Sequence, residues 1–181
     1  PNGLPQDVEN NEQIVFTDWL PTLTSLAKIK HVGNKPLDGI DMSASLMGES
    51  QHHAPRRFWQ WNGYSPISAT NAAVREGSWK LVRPALDISY ATDADQTLAD
   101  RYIEKDIEYK YHPQNFSQVF DWPEPEQIVP KPPEPELYDI DNDPLEQRDL
   151  ADQNPDIALR LLRNLETWFE EVESERQSLV K

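Results

Sequence analysis

Two β-prone runs joined by a glycine-containing connection constrain the fold of this 181-residue chain more than any other feature. Residues 72–75 and 79–83 flank residues 76–78, and a three-residue connection with a glycine able to adopt a positive φ predicts a bulged β-hairpin. Trp79 and Leu81 fall on one face of the second run, and their neighbours fall on the other. This alternation predicts an antiparallel sheet with one face on a core and one in solvent.

The composition excludes several classes of protein. Acidic residues number 32 and basic residues 17, and the formal charge of −15 argues against nucleic acid or an anionic membrane as a partner. The absence of cysteine excludes disulfides, thiolate nucleophiles and cysteine metal sites within these residues. No apolar run approaches the ~20 residues of a membrane span. The start Pro1-Asn2-Gly3 is neither a signal peptide nor a natural initiator, which indicates a chain trimmed at its front.

The N-terminal region predicts a short strand followed by a helix. Residues 13–16 are β-branched and aromatic enough for a last strand or the approach to it, and Thr17 or Asp18 can cap the helix that follows. A second short helical piece is expected at residues 42–46. The first helix carries one apolar stripe at helical spacing, formed by Trp19, Leu20, Leu23, Leu26 and Ala27.

The C-terminal region carries the clearest helical pattern. Asn154 can cap a helix, and Pro155 suits its first position because a first-turn proline gives up no hydrogen bond. With further strands at residues 56–61 and 136–140, the sequence predicts an α+β fold: a small four-stranded antiparallel sheet packed by this long helix. The helix face that packs is formed by Ile157, Leu161, Leu165, Trp168, Phe169 and Val172.

Residues 85–135 interrupt this pattern. They have mixed charge and a helical segment around residues 93–105. Six prolines fall within residues 123–135, a density that disfavours regular helix or sheet and predicts an extended path over the surface.

Five blocks of the sequence, taken in order, resemble the C-terminal third of an arylsulfatase-type sulfatase. Each block alone is weak, but their joint order and spacing cover nearly the whole chain apart from residues 85–135, which resemble the insertions by which relatives differ. The blocks are Thr17-Asp18-Trp19-Leu20-Pro21-Thr22-Leu23, Leu37-Asp38-Gly39-Ile40-Asp41, Arg57-Phe58-Trp59, Ala73-Val74-Arg75-Glu76-Gly77-Ser78-Trp79-Lys80-Leu81 and Glu136-Leu137-Tyr138-Asp139-Ile140-Asp141-Asn142-Asp143-Pro144-Leu145-Glu146.

The resemblance implies a domain organisation and an activity. Residues 1–50 would supply the last strand and helix of an α/β catalytic core of the alkaline-phosphatase-like superfamily, and residues 51–181 the C-terminal subdomain with insertion 85–135. The parent enzyme would hydrolyse a sulfate ester of a small molecule or glycan, using formylglycine as nucleophile and calcium to neutralise the sulfate. Many enzymes of this family work in a periplasm, in a lysosome or outside the cell, so the resemblance leads us to expect one of these locations.

The nucleophile is missing from this chain, which has neither cysteine nor a Ser-x-Pro/Ala-x-Arg sequence. We therefore expect calcium and formylglycine in an N-terminal catalytic segment, which would be the partner of this chain, and assign no catalytic residue and no metal ligand here. Candidates for the wall of a substrate pocket are Trp61, Tyr111, His112 and His53. The acidic residues around 139–146 are interpreted as a turn, because the glycine and distal glutamate of a calcium loop are absent.

Two alternative functions remain open from the sequence. The parent could be a phosphonate or phosphodiester hydrolase of the same superfamily, a choice that the upstream nucleophile motif decides. The chain could instead be a stand-alone, non-catalytic module whose tryptophan- and tyrosine-rich loops hold a glycan or a protein.

Overall fold

A computed structural model describes residues 4, 5, 7, 9–30, 33, 36–49, 56–118 and 123–179. The chain divides into two compact units, residues 1–54 and residues 55–181. The assignment of residues 1–50 to a catalytic core stays a prediction. The described helices include no candidate for a membrane-spanning segment.

The first unit is built around a short helix, α1, Trp19–Leu26, which follows a 3-10 turn at Phe16–Asp18. A second helix, α2, covers Ser43–Leu46. The strand predicted at residues 13–16 is wrong, because the Asp18 carboxylate accepts a hydrogen bond from the Val15 N–H at 3.0 Å and bends the chain into the turn.

Buried polar groups, rather than the predicted apolar stripe, hold α1 in the first unit. Asp18 also accepts a hydrogen bond from the Ile40 N–H at 2.8 Å, and the Thr22 hydroxyl accepts one from the Met42 N–H at 2.9 Å. The backbones approach so closely that a Cβ on Gly39 would lie 1.9 Å from the carbonyl oxygen of Thr17. Both Asp18 and Thr22 are fully buried.

The second unit contains the predicted four-stranded antiparallel sheet, in the order β1-β2-β3-β6. A separate two-stranded ribbon is formed by β4 and β5. The strands are β1 Arg57–Gln60, β2 Ala72–Glu76, β3 Trp79–Arg83, β4 Ser89–Tyr90, β5 Gln127–Ile128 and β6 Glu136–Asp139.

The hairpin at the centre of the sheet has a tighter turn than predicted. Glu76 pairs with Trp79, so the loop contains two residues, Gly77 and Ser78, rather than a bulged three. Gly77 has a φ of 62°. A glycine with positive φ at the first position of a two-residue loop matches the right-handed twist of the strands.

The long helix α4, Pro155–Leu179, packs across the sheet as predicted. Three sheet residues and two helix residues form the centre of the core, each at most 1% exposed: Val74, Leu81, Leu137, Leu161 and Leu165. Burial of five such side chains makes this contact the main source of stability in the unit.

The insertion 85–135 lies outside the four-stranded sheet. Its helix, α3, covers Asp93–Tyr111 and extends six residues beyond the predicted end at residue 105. The Thr92 hydroxyl caps it by accepting a hydrogen bond from the Asp95 N–H at 3.2 Å. Most residues of the proline-rich segment are exposed, as a path over the surface requires, and the segment also contributes β5, a short strand that the proline density did not predict.

Candidate functional site

The residues predicted to line a pocket lie at exposed positions. Trp61 follows β1, is 74% exposed, and donates its backbone N–H to the Asn71 carbonyl at 2.9 Å. Tyr111 is the last residue of α3 and is 75% exposed. His112 follows it and is also exposed. His53 lies outside the described residues.

These residues are not gathered into one site. Tyr111 and His112 are neighbours at the end of α3, but in the described part of the chain no hydrogen bond or ring contact joins either of them to Trp61. Their role in lining a substrate pocket stays a prediction.

A concave site does form elsewhere in the second unit, and we call it the aromatic groove. It has a volume of about 370 Å³ and lies between α3, the C-terminal half of α4 and the residues that follow β1. Its lining residues are Gln60, Asn62, Gly63, Tyr64, Pro66, Tyr102, Glu124, Trp168, Phe169, Val172, Glu173 and Arg176.

Aromatic rings form the walls of the groove. The rings of Tyr64 and Tyr102 lie 4.9 Å apart at an angle of 57°. The indole of Trp168 stacks on Phe58 of β1, with ring centres 5.1 Å apart and an angle of 5°. Burial, and to a smaller extent the neighbouring Asp106, raise the pKa of Tyr102 above its ordinary value.

A charged cluster closes one side of the groove. Arg176 donates to Glu173 at 2.8 Å and to Glu124 at 2.7 Å, and Glu124 also accepts from the Ser65 hydroxyl at 2.6 Å. Hydrogen bonds from Arg176 lower the pKa of Glu173, and the pKa of Arg176 is raised by the same contacts. The cluster connects α4, the proline-rich segment and the residues after β1, and its two carboxylates and one guanidinium leave one net negative charge.

A second groove, of about 590 Å³, lies where the proline-rich segment passes α4. Arg83 at its base is hydrogen-bonded to the Ser68 carbonyl and paired with Glu166 of α4 at 2.6 Å. These contacts satisfy the guanidinium internally, so we interpret Arg83 as a structural tie between the sheet and α4.

Basic side chains form a row across the sheet face opposite α4. The strand register places Arg57 opposite Arg75, and Arg75 opposite Lys80. Like charges in directly opposed positions repel. Carboxylates from the loop after β6 offset the repulsion, since Glu146 lies 2.5 Å from Lys80 and Asp141 lies 3.7 Å from Arg75.

Two further acidic residues, one at the end of β6 and one in the loop after it, stabilise the turn. Asp139 accepts from the Asn142 amide at 2.7 Å, and Asp143 accepts from two backbone N–H groups, those of Gln147 and Arg148, at 2.8 Å each. Among the residues that the structure describes, no group of three or more histidine, aspartate or glutamate side chains is placed to hold a metal ion.

Several large apolar side chains of the first unit are exposed, and we call four of them, which lie on α1 or in the turn before it, the α1 apolar surface: Phe16, Trp19, Leu20 and Leu23. Phe16 is 94% exposed, and Leu23 is 55% exposed. Trp19 and Leu20 are each nearly half exposed. Because residues three and four positions apart lie on one helix face, Leu23 shares a face of α1 with Trp19 and Leu20.

The aromatic groove is not predicted by any single stretch of the sequence, because four separate segments build it. One signal is present: Phe169 and Val172 continue the apolar stripe of α4 beyond Trp168, which stacks on the sheet residue Phe58. Val172 was predicted to be packed but is 42% exposed, at the edge of the groove.

No protein-family model matches the chain. Among solved structures, the chain is similar to a Bacteroides thetaiotaomicron sulfatase, BT33336S-sulf, described with that organism's metabolism of multiple glycosaminoglycans. The sequence identity is 19%, and the TM-score is 0.45. The match covers 83% of this chain and 24% of the other, so the chain spans about a quarter of the length of that structure.

Proposed function

We propose that this chain is the C-terminal subdomain of a sulfatase-family hydrolase, which packs on a catalytic segment and shapes the pocket for a sulfate ester. The substrate is a sulfated carbohydrate or aryl sulfate. Formylglycine and calcium belong to the catalytic segment, and the chain itself contributes no group to bond cleavage.

The observation that carries the proposal is the match between the resembling blocks and the structural elements. The block at residues 57–59 forms β1, the block at 73–81 forms the β2–β3 hairpin, and the block at 136–146 begins with β6. The segment without resemblance, residues 85–135, forms only elements outside that sheet. Insertions are tolerated in the connections between the elements of a shared fold, so an insertion is expected to leave the sheet itself intact.

The α1 apolar surface supports the need for a catalytic segment. Burying one tryptophan or leucine side chain is worth about 1.5–3 kcal/mol, so leaving Trp19, Leu20 and Leu23 in water forgoes a large stabilisation. A chain that functions as part of a larger hydrolase recovers this free energy by packing.

In this proposal, the insertion at residues 85–135 determines which sulfate ester binds. Tyr111 and His112 stand exposed at the end of α3, where an aromatic ring and an imidazole are accessible to a bound ester. The identity of the nucleophile in the catalytic segment distinguishes sulfate-ester hydrolysis from phosphonate or phosphodiester hydrolysis.

The test is an assay with a chromogenic aryl sulfate and calcium. It is run on this chain alone, on the polypeptide encoded immediately before Pro1, and on the two produced together. The proposal expects hydrolysis only from the combination. Hydrolysis by the isolated chain, or a combination that cleaves phosphonate or phosphodiester substrates and no sulfate ester, would overturn it.

A further inference from the structure

We propose that the aromatic groove binds an uncharged sugar residue. All of its lining residues belong to the second unit, and the inference does not depend on the proposed hydrolase function. It concerns binding, and no bond is made or broken.

The walls of the groove suit the apolar faces of a sugar ring. Tyr64 and Tyr102 meet at 57° and form an angled pair of aromatic surfaces. One face of Trp168 is covered by Phe58, so the indole is held in a fixed orientation on the groove wall. Small-molecule sites combine such aromatic walls with a few polar groups that fix orientation.

Polar groups suited to sugar hydroxyls stand beside these rings. The side-chain amide of Asn62 makes no hydrogen bond within the described residues, and it offers two donors and an acceptor. Glu124 and Glu173 are oriented by Arg176, and their oxygens retain lone pairs for further donors. The acceptors are therefore already positioned before a ligand arrives.

The charge of the groove selects against anionic sugars. Two carboxylates and one guanidinium give a net formal charge of −1, within a chain whose charge is −15. A sulfate or uronate group would add like charge to this environment. An uncharged hexose or N-acetylhexosamine meets no such repulsion.

The size of the groove fits one or two sugar rings. Its volume of about 370 Å³ lies at the lower end of the range of ~300–1,000 Å³ for ligand pockets. A short oligosaccharide segment would lie along α4, between Tyr102 on one side and Val172 on the other.

The experiment is a titration of the isotope-labelled 181-residue chain, followed by NMR. The probes are N-acetylglucosamine, N,N′-diacetylchitobiose, cellobiose and lactose, together with N-acetylglucosamine 6-sulfate. We expect saturable shifts with a millimolar dissociation constant for at least one neutral sugar, and binding of the sulfated sugar at least about fivefold weaker than that of N-acetylglucosamine. No saturable shift with any neutral probe, or tighter binding of the sulfated sugar, would overturn the proposal.

Variants locate the binding in the groove. Tyr102→Ala and Asn62→Ala are each expected to weaken binding by about fivefold to tenfold, through loss of a ring and of an amide. If Tyr102→Ala disturbs the fold, Tyr102→Phe still tests the groove, because it keeps the ring and removes only the hydroxyl. We expect Tyr102→Phe to weaken sugar binding by about threefold. The matched control is Tyr109→Ala, a tyrosine on the same helix that is 41% exposed and does not line the groove, and this variant should bind as the native chain does. Equal weakening by Tyr109→Ala, or none by the groove variants, would place the binding elsewhere.

Discussion

The helices α1 and α4 present similar apolar patterns in the sequence but differ in what covers them. The face of α4 packs on the sheet, and Leu161 and Leu165 are almost fully buried. In α1, by contrast, Leu23 is exposed while the polar residues Asp18 and Thr22 are buried. Periodicity therefore identifies a helix and its apolar face, but what covers that face depends on the rest of the protein.

The largest expected effect comes from truncating the covered face. Leu161→Ala should lower the free energy of unfolding by about 2–5 kcal/mol, because it opens a cavity among Val74, Leu81 and Leu137. Leu23→Ala on α1 should lower the free energy of unfolding by less than about 0.5 kcal/mol, since more than half of its side chain is exposed. Urea denaturation followed by tryptophan fluorescence measures both. Equal costs would mean that the two faces are not differently covered.

The second prediction asks what holds the first unit together. Gly39→Ala should destabilise it by about 1–3 kcal/mol, because the new Cβ would collide with the Thr17 carbonyl and separate α1 from the loop that Asp18 binds. Gly63→Ala is the control, since a Cβ there meets nothing within 4 Å. Amide hydrogen exchange at Ile40 and Met42 reports the change directly. Unchanged protection in Gly39→Ala would show that the polar contacts do not hold α1.

The smallest expected effect concerns the end of α4. Arg176 holds the pKa of Glu173 below its ordinary value of 4.5, so this carboxylate contributes stability that is present above pH 4.5 and is lost as the pH falls through its lower folded-state value. Glu173→Gln should therefore be slightly less stable than the native chain at neutral pH. The effect is small because the pair is partly exposed.

Thermal unfolding of native and Glu173→Gln chains across the acid range tests this sign. The difference in melting temperature should close as the pH falls below about 4.5. A difference that is constant with pH would assign the effect to packing rather than to the ion pair.

Much of the fold could be predicted because its signals are local. Alternation predicts the β2–β3 hairpin and β6, and helical spacing with a proline at the first helical position predicts α4. The structure confirms the four-stranded sheet packed by the long helix. The strand predicted at residues 13–16 failed because a single carboxylate, that of Asp18, binds the backbone there. The strand propensity of residues 13–16 does not indicate that a side chain from a following residue binds their backbone.

The candidate site could not be predicted to the same extent. Tyr111 and His112 are candidates from the insertion, and Trp61 is a candidate from the end of the predicted strand at residues 56–61. The structure leaves all three exposed and does not bring Trp61 together with the other two. The aromatic groove depends on pairings across long stretches of chain, such as Tyr64 with Tyr102 and Glu124 with Arg176. In the sequence, only the C-terminal end of the α4 apolar stripe, at Phe169 and Val172, indicates where the groove lies.

The most direct test of the proposed function measures whether the α1 apolar surface binds the proposed catalytic segment. The polypeptide encoded immediately before Pro1 is titrated with the native chain, with Leu23→Glu and with Ile107→Glu, using calorimetry. Ile107 is the matched control, because it is an aliphatic residue on α3 that is 53% exposed, against 55% for Leu23. The account predicts binding by the native chain and by Ile107→Glu, and binding at least about tenfold weaker for Leu23→Glu. No binding by the native chain, or equal binding by all three, would contradict it.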